Sequence, residues 1–220
     1  MTEVNQKNAF EHGEGDAWYQ RSLTVDLERT YRDRLLDYVR PGDSVLEVGS
    51  SDGRNLSWLL AHGVGRCCGI DPSAQAVAEG GLRHPSLDLR VGTADRLPVA
   101  EGETFDLVWL GFFLYLVDRA LLTKVVSETD RVTRDGGTVV IVDFDSPQLR
   151  RRPYRHCDGL MSFKMDYSTL FTAFPHYVVV EKVPIRDAAV GLAEKAQDRI
   201  ALWILKKDLT GAYALEHDDD

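Results

Sequence analysis

The chain has 220 residues, of which 44% are hydrophobic and 28% are charged, and its 26 basic and 35 acidic residues give a formal net charge of −9. These values predict one globular domain over residues 1–220 and argue against a disordered or fibrous chain. The acidic balance argues against a nucleic-acid partner, and the lack of a long apolar run argues against a membrane span.

The N-terminal segment differs from the chain that follows it. Its first sixteen residues are polar and acidic, which predicts an arm that leads to the apolar pair Trp18 and Tyr19. Apolar residues then recur at spacings of four and three between positions 23 and 39, a pattern typical of one face of a helix. Pro41 and Gly42 end that predicted helix.

Strand-like and helix-like segments alternate over the middle of the chain. Short apolar runs predict five strands, at 44–48, 66–70, 87–91, 105–110 and 138–144. Helical patterns predict helices at 54–62, 73–79 and 119–132, and the glycines at 135–137 predict a turn before the fifth strand. This alternation predicts an α/β fold, a three-layer Rossmann-like sandwich on a mostly parallel sheet.

The last part of the chain predicts a different connection. A short helix at 167–174 precedes two strand-like runs at 176–183 and 200–206, with only a loop or partial helix between them. These two runs are predicted to form an antiparallel hairpin at the edge of the sheet, as its sixth and seventh strands.

The first predicted strand runs into a glycine turn that opens a helix. Gly49 permits a tight turn and close approach of a ligand, and Gly53 lets the helix begin near the strand. Ser50 lies where free backbone N–H groups can contact a ligand. The dinucleotide fingerprint G-x-G-x-x-G is absent, and the carboxylate of Glu47 suits an ammonium or sulfonium charge rather than a pyrophosphate.

Acidic residues also follow the next two strands. Asp71 and Pro72 end the second strand, where a carboxylate can accept hydrogen bonds from ribose hydroxyls. Ala94 and Asp95 follow the third strand, where a carboxylate can accept from an exocyclic amine such as that of adenine. Because open α/β sheets bind ligands at the carboxyl ends of their strands, these positions and Glu47 predict a single site.

In the order and spacing of these features, from Asp43 to Asp145, the chain resembles the class I S-adenosylmethionine-dependent methyltransferases. The resemblance implies that S-adenosylmethionine is the cofactor. It also implies that Glu47 and the glycine turn contact the methionine part, that Asp71 binds the ribose, and that the residues after the third strand bind the adenine. Ser51 departs from the family pattern, in which this position of the turn is often glycine.

The resemblance also suggests where an acceptor binds. Gly111, at the end of the fourth strand, is expected to let the cofactor pass close to the chain. Residues 1–20 are expected to form an arm or lid with Tyr19 near the substrate, although a hydrophobic anchor is an equal alternative. Asp143, at the end of the fifth strand, is a candidate base or else part of a solvated strand end.

An arginine-rich stretch follows the fifth strand of this acidic chain. Four arginines and one histidine fall between positions 150 and 156, within a predicted substrate-binding insertion at 146–175. Arginine favours bidentate contacts with phosphate or carboxylate, so Arg152, Tyr154 and Arg155 are candidate contacts for an anionic acceptor. His156 is the candidate general base. The alternative is that the stretch is a solvated surface.

These features predict a methyltransferase for a small molecule, such as an anionic metabolite or natural-product intermediate, acting on oxygen or nitrogen. The alternatives are a non-catalytic regulatory module that binds the cofactor and another transferase on the same scaffold, such as an aminopropyl transferase. Three cysteines without metal-ligand spacing predict no metal site and a reducing compartment. We therefore expect a cytoplasmic monomer or homodimer without nucleic-acid or membrane partners.

Overall fold

The computed structural model describes residues 5–23, 32–185 and 195–214. Within them the strands are β1 (Ser44–Val48), β2 (Arg66–Asp71), β3 (Asp88–Val91), β4 (Phe105–Gly111), β5 (Thr133–Phe144), β6 (Arg150–Pro153), β7 (Met161–Lys164), β8 (Tyr177–Ile185) and β9 (Ile200–Lys207). The α-helices are α1 (Gln6–Ala9), α2 (Gly15–Ser22), α3 (Arg54–Ala61), α4 (Ala74–Arg83), α5 (Leu122–Val132), α6 (Thr169–Thr172) and α7 (Leu209–Ala212). Short 3₁₀ turns lie at Arg32–Asp37, Leu114–Leu116, Arg119–Leu121 and Ala196–Asp198.

The main sheet has seven strands in the order β3-β2-β1-β4-β5-β9-β8. Neighbours from β3 to β5 run parallel, whereas β9 is antiparallel to both β5 and β8. The predicted seven-stranded, mostly parallel sheet with an antiparallel pair at its edge is therefore confirmed. Strands β6 and β7 pair with each other in a separate two-stranded sheet, which the sequence pattern did not predict.

Apolar side chains fill both faces of the central strands. In β1, Leu46 and Val48 enter one core cluster and Val45 enters the other, because successive side chains of a strand point to opposite faces. The neighbouring Leu107 and Val108 of β4 divide in the same way. Burial on both faces is typical of parallel strands between helices, and it gives the turns at their carboxyl ends a rigid base.

The N-terminal segment is more ordered than the predicted arm. A wide π-type turn at Phe10–Glu14 joins α1 to α2, and Tyr19 of α2 is fully buried. The Gln6 side chain donates to the Leu116 carbonyl, and its Oε1 accepts from the Met161 N–H at 2.9 Å. These contacts join the segment both to the loop after β4 and to β7.

Two other predicted elements differ in detail. Residues 24–31 of the predicted helix at 23–39 lie outside the described residues, and Arg32–Asp37 forms a 3₁₀ turn instead of a longer helix. The predicted turn at 135–137 is a distortion within β5. Pairing with β4 skips there from Thr133 to Thr138, and Gly136 has a φ of 70°. Across the described residues, no helix is long and apolar enough to cross a membrane.

Candidate active site

The glycine turn after β1 passes close to the end of β4. Gly49, Ser51 and Gly53 all have positive φ, at 77°, 51° and 75°. A side chain at Gly49 would lie 3.0 Å from the Phe113 ring and 3.2 Å from the Gly111 carbonyl. Ser51 holds a backbone conformation that glycine adopts more easily, which explains the preference for glycine there in the family that the chain resembles.

Hydrogen-bond acceptors surround the inner side of this turn. Glu47 is 1% exposed, and its Oε1 accepts from Asn55 Nδ2 at 2.9 Å. Because that contact uses the amide nitrogen, Asn55 presents Oδ1 as an acceptor. Asn55 Oδ1 and Ser51 Oγ are both buried without a hydrogen-bond partner among the described residues. Buried acceptors beside a carboxylate fit a ligand with an ammonium or sulfonium charge.

Asp71 connects the end of β2 to the glycine turn. Its Oδ2 accepts from the Ser51 N–H and its Oδ1 from the Ser73 N–H, each at 2.8 Å. Burial raises the pKa of Asp71 to about 6, because desolvation disfavours the ionised form. Each carboxylate oxygen keeps a further lone pair and can also accept a bond from a hydroxyl group.

A cavity of about 120 Å³ lies beside Asp71. Pro72, Ala94 and Asp95 also line it, so the residues predicted to hold ribose and adenine share one pocket. Asp95 accepts from Lys7 Nζ at 2.9 Å. Burial opposes ionisation of Asp95, but the hydrogen bonds from Lys7 and Thr93 and the charge of Lys7 together outweigh it, so the pKa of Asp95 lies below its usual range.

A second cavity of about 780 Å³ adjoins the first. Both are lined by Trp18, Gly49, Gly111 and Phe112. Glu47 and Ser50 line the larger one. Gly53 lines neither cavity, and a side chain there would lie 2.8 Å from Leu87. Gly53, predicted as a cofactor contact, therefore does not line the cleft, and its small size instead lets the start of α3 lie close to the side chains of Leu87 and Leu89.

Aromatic rings form one wall of the larger cavity. The ring of Phe112 lies 5.1 Å from that of Tyr115 and 5.3 Å from that of Phe144, and the last two lie 5.1 Å apart at an angle of 87°. Phe112 has a φ of 55°, an uncommon conformation for a bulky residue. These rings give the cavity an apolar surface suited to a flat molecule.

Basic side chains from β6 and the loop after it form another wall. Arg152, Arg155 and His156 line the larger cavity together with Tyr154, so the structure brings together four of the predicted acceptor-side residues. The Tyr154 ring lies 5.2 Å from the His156 ring. Its hydroxyl accepts from Arg21 at 3.3 Å, and burial raises the pKa of Tyr154 to about 12.

Besides Gly53, two predicted residues lie outside both cavities. Tyr19 is fully buried and donates its hydroxyl to Glu79 at 2.8 Å, so it anchors α2 to α4 and does not face a substrate. Asp143 is also fully buried, and its carboxylate accepts from the N–H groups of Tyr115 at 3.2 Å and Phe144 at 2.7 Å. Burial raises its pKa to about 7. This position supports the aromatic wall from behind and does not fit the predicted role as a base.

Several cavity residues had not been predicted. Lys7 reaches Asp95 from α1, and Lys164 of β7 reaches Asp198 in the larger cavity at 2.7 Å. Asn55 is the second residue of α3. Trp18, rather than its neighbour Tyr19, lines the cleft. Of these residues, only Trp18 could have been found from the sequence, because it forms an apolar pair with Tyr19 after a polar segment. A single lysine, asparagine or aspartate has no such signal, since it resembles any surface residue.

Known proteins share both the sequence pattern and the fold. A family model described as "Methyltransferase domain" matches residues 46–141. A protein named demethylmenaquinone methyltransferase from Beutenbergia cavernae is 38% identical over 127 residues, which are 57% of this chain and 51% of that protein. A protein of the same name from Renibacterium salmoninarum is 31% identical over 186 residues, which cover 83% of this chain and 73% of that protein. The chain thus matches about half the length of the first relative and more of the second.

Solved structures confirm the fold at lower identity. The Burkholderia thailandensis 1,6-didemethyltoxoflavin-N1-methyltransferase, solved with 1,6-didemethyltoxoflavin and S-adenosylhomocysteine, has a TM-score of 0.70 at 15% identity, covering 91% of this chain and 85% of that one. The N-methyltransferase NodS from Bradyrhizobium japonicum, solved with S-adenosylhomocysteine, has a TM-score of 0.64 at 19% identity, covering 92% and 98%. At these identities the comparison shows the architecture but not the acceptor.

Proposed function

This chain belongs to the class I S-adenosylmethionine-dependent methyltransferases, and we propose that its acceptor is a small, ring-containing molecule with an anionic group. The observation that carries the proposal is the larger cavity, which combines an aromatic wall with Arg152, Arg155 and His156. These basic residues lie outside residues 46–141, the part that matches the family model.

The cofactor fits the cleft as its residues are arranged. When bound, S-adenosylmethionine supplies an electrophilic methyl group on a positively charged sulfur. Glu47 and the buried oxygens of Asn55 and Ser51 suit the charged methionine end, and Asp71 and Asp95 suit the ribose and adenine. Gly49 and Gly111 line both cavities, so a side chain at either residue would take up space that a cofactor extending across both would need.

The remaining work of the protein is to orient the acceptor and to remove its proton. Trp18 and the aromatic wall exclude water and hold a flat ring, while the basic wall attracts its anionic group. His156 takes the proton from the acceptor O–H or N–H as the new bond to carbon forms. The products are then the methylated acceptor, S-adenosylhomocysteine and a proton on the histidine.

Matched acceptors test the proposal directly. Aromatic hydroxy acids and the corresponding neutral amides are offered as pairs with S-adenosylmethionine, and S-adenosylhomocysteine release is measured together with the mass of the methylated product. We expect turnover of acids at lower KM than their amides, by at least about tenfold. Equal or better turnover of the amides would contradict the anionic acceptor and leave the methyltransferase assignment in place.

A second candidate acceptor comes from the named relatives, which are demethylmenaquinone methyltransferases at 28–38% identity. The apolar wall of the cavity also suits a quinone-like ring. Demethylmenaquinone should therefore be included in the acceptor panel. If it alone is methylated, and arginine substitutions in the basic wall leave its KM unchanged, this candidate replaces the anionic acceptor.

A further inference from the structure

The cations of the larger cavity differ in how deeply they lie. The Lys164 side chain is 12% exposed, whereas that of Arg152 is 45% exposed. A charge–charge contact is stronger where water is excluded. If the cavity binds an anion, Lys164 is therefore the cation whose contact would contribute most, although it lies outside the arginine-rich stretch.

Lys164 also lies against the aromatic wall. Its Nζ is 3.8 Å from the centroid of the Phe144 ring, within the range of a cation–π contact. Phe144 packs in turn on Phe112, which lines both the larger cavity and the cavity assigned to adenosine. The ammonium thus lies beside the ring surface on which a flat acceptor would rest.

A carboxylate already occupies the anion position on this lysine. Asp198 Oδ1 lies 2.7 Å from Lys164 Nζ and 3.4 Å from Arg152 Nη1. The bond from Lys164 lowers the pKa of Asp198 below its usual range, so Asp198 is a charged partner at neutral pH. Since it contacts both cations, it can stay with Arg152 when another anion binds Lys164.

We propose that Lys164 binds the anionic group of the acceptor and that Asp198 holds this place until the acceptor enters. The inference rests on the proposed function, because it needs an anionic acceptor. Lys164 then selects acceptors by charge, and Arg152, besides helping to attract the anionic group into the cavity, retains Asp198. Binding exchanges one carboxylate for another at Lys164, and no covalent bond changes.

The test measures binding of 2-naphthoate and neutral 2-naphthamide by calorimetry, with S-adenosylhomocysteine present. Lys164→Met should weaken 2-naphthoate at least about tenfold and leave 2-naphthamide unchanged. Asp198→Asn should strengthen 2-naphthoate severalfold, because it removes the competing carboxylate. Lys164→Arg should restore most of the affinity, and S-adenosylhomocysteine should bind all variants equally.

The opposite signs of the two substitutions distinguish this role from a structural ion pair. If the pair only holds the 3₁₀ turn at Ala196–Asp198, both variants break the same contact and weaken both probes alike, which overturns the proposal. If Lys164→Met does not fold, an unchanged or weaker 2-naphthoate affinity in Asp198→Asn overturns it on its own.

If the wild type does not prefer 2-naphthoate over 2-naphthamide, the proposed anionic acceptor fails first. If the preference exists but depends on Arg155 and not on Lys164, only the inference fails.

Discussion

The cofactor side and the acceptor side of the cleft are built in different ways. On the cofactor side, Glu47, Asp71 and Asp95 each lie at or just after the end of a parallel strand, and Gly49 begins the turn between a strand and its helix. On the acceptor side, the cavity wall is assembled from α2, the β6–β7 sheet and the turn before β9. On the proposed assignment, the ligand shared across the family is recognised by local strand–turn units, whereas the acceptor is recognised by segments far apart in the chain.

Replacing Gly49 should have the largest effect, because it removes the central element of the cofactor side. In Gly49→Val a side chain meets the Phe113 ring and the Gly111 carbonyl, at a residue whose φ is 77°. Steric overlap and backbone strain together are expected to weaken S-adenosylhomocysteine binding more than about a hundredfold, measured by calorimetry.

The matched control is Gly102→Val, which shares a positive φ of 80° but has no atom within 4 Å of the added carbon. It should lose some thermal stability and keep its cofactor affinity. Equal loss of affinity in both variants would mean that strain from a side chain at positive φ is enough to weaken cofactor binding. The close contacts of Gly49 would then not be the cause.

Replacing His156 tests whether the acceptor side carries chemistry as well as recognition. As a general base, His156→Gln should lower kcat by about 10²–10⁴-fold and flatten the acidic side of the pH–rate profile, with cofactor affinity unchanged. His84→Gln is the control, since His84 lies at the end of α4 and outside both cavities. Unchanged turnover in His156→Gln would show that orientation alone suffices for transfer.

The contrast between the two sides also determines how much could be predicted from sequence. The sheet, its order of elements and the proposed cofactor contacts follow from short patterns in which a strand, a glycine or carboxylate, and a helix are consecutive. The assignment of Tyr19 failed because the local sequence does not show which of two adjacent aromatic side chains faces the cavity and which faces the core. Trp18, one residue earlier on α2, lines the cavities instead.

The acceptor side was predicted only in part for the same reason. The arginine-rich stretch was visible as a charge cluster, and Arg152, Arg155 and His156 do line the cavity. The antiparallel partner of β6 could not be predicted, because β6 and β7 have only four residues each, too few for an alternating pattern of apolar and polar residues to stand out. Consequently the pairing that brings Lys164 opposite Arg150 and into reach of Asp198 had no sequence signal.

Asp71 allows a smaller, pH-dependent test of the cofactor side. Asp71→Asn should weaken S-adenosylhomocysteine by about 1–3 kcal/mol, or about 5- to 150-fold, because bonds to ribose lose a charged acceptor. In the wild type, affinity should fall as pH drops below about 6, where Asp71 becomes protonated, and Asp71→Asn should lack this dependence. Asp106→Asn is the control, because Asp106 accepts the Ser44 N–H at 2.8 Å but lines neither cavity.

The same carboxyl predicts the opposite trend for stability. Its pKa is raised from 3.8 to about 6 in the folded state, so the folded chain binds more protons than the unfolded chain between these values. The contribution of Asp71 to the unfolding free energy therefore falls as pH rises from about 4 to about 6 and stays low above it. Urea unfolding of the wild type and Asp71→Asn at several pH values checks this, and parallel curves would contradict it.

Removing Lys7 should give the smallest effect, at the point where the N-terminal segment meets the cofactor side. Lys7 Nζ bonds to Asp95 Oδ2, the carboxylate expected to accept from the adenine amine, while the Lys7 backbone N–H bonds to Asp118 at 2.9 Å. Because the ammonium competes for Asp95 and the backbone contact survives substitution, Lys7→Met should strengthen S-adenosylhomocysteine binding a few fold at low salt. A partly exposed ion pair contributes about 1 kcal/mol or less, and the gain should fade at high salt.

The exposed Lys124→Met on α5 serves as the control for net charge. A weaker affinity in Lys7→Met would instead show that the lysine holds the N-terminal segment closed over the bound cofactor, and that this segment belongs functionally to the cofactor side.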